Sequence, residues 1–325
     1  VRTLVISDVH LGQRGGVSVL TRPRPLEALL DALDSYDRLV LLGDTVELQE
    51  THSSLSFPVA EPILRAIAAR LGPQKQLLLV PGNHDHGLVR DWALAQGPEL
   101  ARENVLPPDA SPLLAGVTSW LTATRVEVHY PGLWLADGVW ATHGHYLNNY
   151  LRPVSSWGLH PRRRAQPATP AAFEYIPRRP AAPHLRDGLP PERWLDRHIP
   201  SRLAPLTAAA LGNQMERHAL PALALAAHAL GVEAEWVIFG HVHRRGPRDA
   251  DNPGLWSGPG GRPRLVNTGS WRYEPVVVRG IGPAGGYWPG GGVTLGDDGV
   301  PRSCGLLDEL SEAELLATDA AAPTR

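Results

Sequence analysis

Short apolar runs that stop at a polar cluster dominate the first third of the chain. Thr3-Leu4-Val5-Ile6-Ser7 ends at Asp8, Arg38-Leu39-Val40-Leu41-Leu42 ends at Gly43-Asp44, and Gln76-Leu77-Leu78-Leu79-Val80 ends at Pro81-Gly82. Runs of this length, bounded by turn residues, predict buried strands. Between them, apolar positions 26, 29, 30 and 33 recur at helical spacing, and residues 61–71 read as a second helix. Strand and helix therefore alternate, as in an α/β layer structure. Further strands are predicted at 125–130, 139–142, 236–239, 265–267 and 275–278. Some follow one another without a helix between, which requires a sheet that is partly antiparallel.

The pattern dissolves between residues 151 and 204, where Pro, Arg and His replace apolar runs. That window holds ten arginines and four acids, and it reads as an insertion within one domain covering 1–325. Residues 205–230 read as a helical segment, apolar on most sides and interrupted by Pro221. Residues 280–292 are rich in Gly and Pro and read as a loop. The string Gly280-x-Gly282-x-x-Gly285 matches a dinucleotide fingerprint but runs into Gly-Tyr-Trp-Pro-Gly instead of a helix, so it lacks the phosphate-binding geometry.

Composition narrows the class. With 31 basic and 33 acidic residues in 325 the net charge is −2, which gives no strong signal for a nucleic-acid partner. Cys304 is the single cysteine, so no internal disulfide or thiolate zinc site is available, and it lies far from the polar clusters. No apolar stretch reaches eighteen residues, so no transmembrane segment is expected and a cytoplasmic protein is, with room for peripheral membrane contact. Lys75 is the only lysine. The arginine bias fits a GC-rich genome and lowers the information in any single Arg.

The fourteen histidines, by contrast, cluster. Five polar groups, most placed just after a predicted strand, are Asp8-Val9-His10, Gly43-Asp44-Thr45-Val46-Glu47, Gly82-Asn83-His84-Asp85-His86, His143-Gly144-His145 and Gly240-His241-Val242-His243. Strand tips converge on one edge of a sheet, where α/β proteins place their sites. Carboxylate, imidazole and carboxamide donors without thiolate suit Mn²⁺, Fe, Zn²⁺ or Mg²⁺. Three clusters with two donors each exceed the needs of a single ion and point to two, with a carboxylate bridging.

These motifs, in this order, resemble the calcineurin-like metallophosphoesterase superfamily, whose signature runs D-x-H, G-D-x-x-[DE], G-N-H-[DE], H and G-H-x-H. The resemblance spans about residues 3–270, without the insertion, and takes in Asn267-Thr268-Gly269-Ser270-Trp271. It implies a four-layer α/β/β/α sandwich with two mixed sheets and a dinuclear centre at the strand tips. Asp8, His10 and His243 would bind one divalent ion, Asn83, His143 and His241 the other, and Asp44 would bridge them. Manganese leads, with Fe, Zn²⁺ or Mg²⁺ as alternatives. The implied reaction is hydrolysis of a phosphodiester or pyrophosphate by a hydroxide bridging the ions. His84 would stabilise charge or protonate the leaving oxygen, and Asp85 would orient it. Glu47 and His86 have no certain role, and His145 is a candidate substrate contact.

The superfamily spans several substrate classes. The start Ser7-Asp8-Val9-His10-Leu11-Gly12 is similar to the UDP-2,3-diacylglucosamine pyrophosphatase branch and to certain bacterial exonucleases. The pyrophosphatase branch often has Arg where His84 stands. A UDP-diacylglucosamine-type pyrophosphatase and a cyclic-nucleotide phosphodiesterase are the alternatives within the superfamily, and a non-catalytic scaffold is the alternative outside enzymes. Arg162, Arg163 and Arg164, in an insertion that leaves just after His145 and returns before His241, are expected to contact a small phosphoester or nucleotide-linked substrate from a lid. The other arrangement for the insertion is pairing in a homo-oligomer.

Overall fold

The structure, a computed structural model, describes residues 1–14, 17–151, 166–175 and 203–318. Among the described residues thirteen strands form in chain order: β1 Thr3–Ile6, β2 Val17–Ser18, β3 Arg38–Leu42, β4 Gln76–Val80, β5 Asn104–Leu106, β6 Arg125–Tyr130, β7 Gly132–Ala136, β8 Val139–Thr142, β9 Trp236–Phe239, β10 Arg264–Asn267, β11 Arg272–Tyr273, β12 Gly291–Leu295 and β13 Pro301–Gly305. A seven-stranded mixed sheet runs β13-β12-β1-β3-β4-β6-β5, a four-stranded one β10-β9-β8-β7, and β2 and β11 pair as a short ribbon. In the large sheet β1, β3, β4 and β6 are parallel, while β12, β13 and β5 are antiparallel to their neighbours.

Side-chain alternation along these strands builds the layers. Val5, Val40, Leu42, Leu78 and Val80 turn inward to meet Leu133, Ala141, Ile238 and Val266 of the smaller sheet. Their strand neighbours Leu4, Ile6, Leu39, Leu41, Leu77 and Leu79 turn outward onto helix residues such as Leu29, Ile63, Leu64 and Ile67. On the far side Trp140, Val237, Phe239 and Leu265 pack on Leu220, Leu223 and Ala226. The period of two thus feeds two faces of each central strand, and the result is the expected α/β/β/α sandwich with mixed sheets.

Three elements differ from the sequence reading. Residues 275–278, expected as a strand, form the short helix Pro275–Val278. Pro275 sits at its first turn, where a missing N–H costs nothing, and the three valines are buried as one helical turn in the main core. The loop at 280–292 ends in strand β12, whose first residues are glycines packed beside other backbone. A Cβ on Gly291 would overlap the carbonyl oxygen of Thr268. The helix expected at 61–71 runs Ser53–Leu71, through Pro58 and Pro62, because Ser56, Ala60, Ile63, Leu64 and Ile67 are all buried along it.

The segment at 205–230 is one helical run, Ala204–Gln214 and Leu220–Ala229, joined by a π turn at Met215–Ala219. The wider turn falls just ahead of Pro221, so the ladder is already loosened where the proline has no N–H to give. Of the insertion, residues 166–175 are described. The helix Pro170–Glu174 is tied to the body, with Phe173 stacked on Tyr146 at 4.0 Å between ring centroids. Glu174 accepts hydrogen bonds from the Tyr130 and Tyr146 hydroxyls and lies 2.6 Å from His86 Nε2. Arg162, Arg163 and Arg164 lie outside the described residues.

Candidate metal centre

The tips of β1, β3, β4, β8 and β9 carry all five polar clusters to one edge of the two sheets. The backbone there is unusual. Among the described residues the non-glycine positions with positive φ are Asp8 (54°), His10 (51°), Asp44 (52°), His241 (70°) and His243 (56°). Left-handed backbone at a non-glycine residue costs on the order of 1–3 kcal/mol and persists only where its surroundings enforce it. Here every instance is an Asp or His of the candidate ligand set. The glycines before these motifs make the approach possible: a Cβ on Gly43 would overlap the His143 ring, and one on Gly240 would overlap Ser7 and the Asp8 carboxylate.

Three groups of side chains offer ligand atoms within 4.8 Å of one another: Asp8, His10 and His243; Asp44, His143 and His241; and His10, Asp44 and His84. His10 and Asp44 each belong to two of them, and of the pair Asp44 is the carboxylate, with two oxygens to share. Its Oδ2 lies 3.1 Å from His143 Nε2 and 3.9 Å from His10 Nε2. Asn83 Oδ1 is 3.1 Å from His143 Nε2, which places the carboxamide with the second set.

The histidine orientations are fixed from behind. His10 Nδ1 faces Glu47 Oε2 at 3.3 Å, His143 Nδ1 donates to the Leu42 carbonyl at 3.0 Å, and His243 Nδ1 faces Glu274 Oε1 at 2.7 Å. Each acceptor holds the proton on Nδ1 and leaves Nε2 as the donor atom toward a cation. The Nε2 atoms of His10 and His243 stand 3.4 Å apart. Asp8 Oδ1 is buried 3.2 Å from His243 Nε2 without a hydrogen bond of acceptable geometry. Lone pairs of imidazole and carboxylate converging in this way fit divalent cations.

Protonation follows the same geometry. His143 is raised to about 9 and His243 to about 10; burial opposes both shifts, but Asp44 and Asp8 outweigh it at His143, and Glu274 and Asp8 at His243. Burial also opposes the lowering of Asp8 to about 2, and the charges of His243 and His143 overcome it. His241 falls to about 3, through burial and then the charge of His143.

His84 lies at the rim, its ring edge-on to His10 at 4.7 Å between centroids. Its Nδ1 donates to Glu47 Oε2 at 2.7 Å. That bond and the charge of Asp44 outweigh burial and raise His84 to about 9. The expectation that Asp85 orients His84 is corrected. The Asp85 carboxylate is buried and accepts the backbone N–H groups of Gly82 (2.6 Å), Thr45 (2.8 Å) and Asp44 (3.2 Å), so it shapes the two loops that present Asp44 and Asn83. Burial and the nearby Asp44 charge push it up to about 6. Glu47 takes the orienting position instead, and its other oxygen accepts the N–H groups of Gln49 and Glu50.

His145 is buried between His143 and Tyr146, and His86 belongs to the Glu174 network. Two further groups at the site were not picked out by sequence. Glu274 carries no motif spacing, and Asn148, whose Nδ2 is 3.0 Å from His241 Nε2, sits in a turn after the histidine pair. Cys304 is on β13, where burial pushes its thiol up to about 11 and so disfavours the thiolate. No helix among the described residues is long and apolar enough to cross a membrane.

The family model described as calcineurin-like phosphoesterase matches residues 1–245. No curated protein matches the chain.

Proposed function

The chain belongs to the calcineurin-like phosphoesterase family, a family of hydrolases acting on phosphoric esters, and on that premise we propose that it is a dinuclear metal-dependent enzyme that cleaves a phosphodiester or pyrophosphate. The observation that carries this reading is the convergence of His10, His143 and His243 Nε2 on Asp8 and Asp44, with each Nδ1 held by a separate acceptor. Asp8, His10 and His243 would hold one ion, and Asn83, His143 and His241 the other, with Asp44 between. Manganese suits this mixed set of oxygen and nitrogen donors, and Fe, Zn²⁺ or Mg²⁺ is the alternative. When bound, such ions draw charge from a phosphoryl group and lower the pKa of water.

The chain's own groups supply the remainder. His84, held by Glu47 and carrying its proton near neutral pH, offers Nε2 to a phosphoryl or leaving-group oxygen, where it stabilises developing charge or donates the proton. Glu47 and Asp44 keep that proton in place. Asp85 sets the loop geometry without touching the reacting atoms. The residues behind the site keep ligand rotamers fixed, so the donor set is organised before any ion arrives.

The test is a hydrolysis screen of chelator-treated protein reloaded with Mn²⁺, Fe²⁺, Zn²⁺ or Mg²⁺. Its substrates are nitrophenyl mono- and diesters, cyclic nucleotides and UDP-linked pyrophosphates. Diester or pyrophosphate turnover that needs metal and outpaces monoester turnover supports the reading. A monoester preference with every metal overturns it.

A further inference from the structure

Beside His241 and His243 the surface opens into a cleft of about 350 Å³, within the range of small-ligand sites. One wall is a stripe of the helical run, with Leu211, Met215 and His218 on successive turns; the facing wall is Leu147 and Leu151, from the segment after His145. The same helical run packs Leu220, Leu223 and Ala226 into the core under the smaller sheet. Met215 and Leu147 also pack in that core, with Leu151 partly buried against it, so the apolar side chain that the core leaves facing the cleft is Leu211. Leu211 is 36% exposed. The π turn at Met215–Ala219 lies along this wall, and such turns are frequent at functional sites.

Polar groups in the cleft point the same way. His218 Nδ1 and Arg272 Nε are buried without a hydrogen-bond partner, and both residues line it. Arg272 Nε is ion-paired with Glu274, so among the described residues it is His218 Nδ1 that is left buried without a partner in this lining, where buried polar atoms are normally paired. One end of the cleft is the metal-binding edge, the remainder is apolar, and Arg272 lies where the two meet, near Glu274 at 3.6 Å.

We propose that this cleft is the subsite for an apolar ester arm of the substrate, an alkyl or aryl group. In this arrangement Arg272 stands beside the phosphoryl group, and Leu147, Leu151, Leu211 and Met215 enclose the arm. The proposal rests on the phosphoesterase reading and narrows it to a diester with one carbon-rich substituent. Each buried methylene contributes about 0.8 kcal/mol when fully covered. A six-carbon arm in an open cleft, covered on part of its surface, therefore gains about 10–100-fold over a methyl group.

Two measurements on the Mn²⁺-loaded protein test it: kcat/KM for 4-nitrophenyl methyl, hexyl and phenyl phosphates, and calorimetric Kd for methylphosphonate and hexylphosphonate, which needs no turnover. Hexyl and phenyl substituents should exceed methyl by about 10–100-fold in kcat/KM, hexylphosphonate should bind about 10–100-fold tighter than methylphosphonate, and Leu211→Ser and Leu151→Ser should each shrink those ratios. Leu211 is exposed, so its change removes no core; Leu151 packs partly buried against the core, so its variant counts only with an unchanged denaturant midpoint. Hydrolysis of the methyl ester with no advantage for longer arms overturns the cleft and leaves the phosphoesterase reading intact. Absence of all hydrolysis with hexylphosphonate still preferred overturns the enzymatic reading and keeps the cleft. A preference untouched by either serine variant places the arm elsewhere and overturns the proposal.

Discussion

Glu47→Gln is the most informative single change at the site. One carboxylate oxygen of Glu47 faces two imidazoles, His84 at 2.7 Å and His10 at 3.3 Å, and the pair of bonds outweighs burial to hold its pKa near 2. An amide is isosteric, and its oxygen can keep the Gln49 and Glu50 N–H bonds. Its NH₂ must then face both histidines, where two ring N–H donors already point. For His84 the exchange replaces a charge-assisted hydrogen bond with a neutral one at best, a loss of about 1–1.5 kcal/mol, or roughly one pKa unit. Because Glu47 raises His84, its removal lowers that pKa, and the alkaline limb of kcat should move down by about one unit. Bound ions lower parent and variant together and leave the difference. His10 suffers differently: an Nδ1 that accepts from the amide puts the proton on Nε2, the ligand atom. Loss of such a partner typically costs about 10–100-fold in metal affinity or activity. A pH–rate profile at saturating Mn²⁺, paired with a calorimetric metal titration, reads both effects. An alkaline limb that stays in place together with a metal Kd within twofold of the parent would refute the role given to Glu47.

Asn83→Ala and His241→Ala should each reduce bound metal from two ions toward one by elemental analysis. His84→Ala should keep both ions and lose about 10²–10³-fold in kcat; loss of metal in that variant would make His84 a ligand. His143 and His243 are raised above the ordinary histidine value, to about 9 and 10. Their protonation therefore stabilises the metal-free fold fully below about pH 6.5, and that contribution disappears as pH rises through about 9–10. Metal binding at pH 7 should accordingly release protons, seen as a buffer-dependent enthalpy in calorimetry, and apparent affinity should climb from pH 7 to 9. Asp85→Asn should lower unfolding free energy by about 1–3 kcal/mol, because an amide cannot accept all the N–H groups that the carboxylate now satisfies; an unchanged denaturant midpoint would contradict its structural assignment.

The legible part of this chain is the part where chemistry sits on short sequence intervals. Asp8, His10, Asp44, Asn83, His143, His241 and His243 each follow a strand whose apolar run stops abruptly, and the structure brings the seven together. Strands β1, β3 and β4 were visible for the same reason, since burial on both faces makes them continuous apolar runs. What escaped notice depends on distance in sequence. Glu274 reaches His243 from 31 positions away and the Leu42 carbonyl reaches His143 from 101, and neither acceptor has a spacing that marks it. The neighbour of His84 in sequence, Asp85, was the natural partner on paper. The chain turns between them, however, so one side chain goes to the backbone of the Asp44 loop and the other to Glu47. The valines at 276–278 misled in the opposite sense, because β-branched residues suit a strand while Pro275 starts a helical turn. Candidate ligands, in this fold, are local signals, whereas the groups that decide which nitrogen of each imidazole carries its proton are contributed by tertiary packing. That division makes Glu47 and Glu274, more than the ligands themselves, the residues whose substitution will show how the site is tuned.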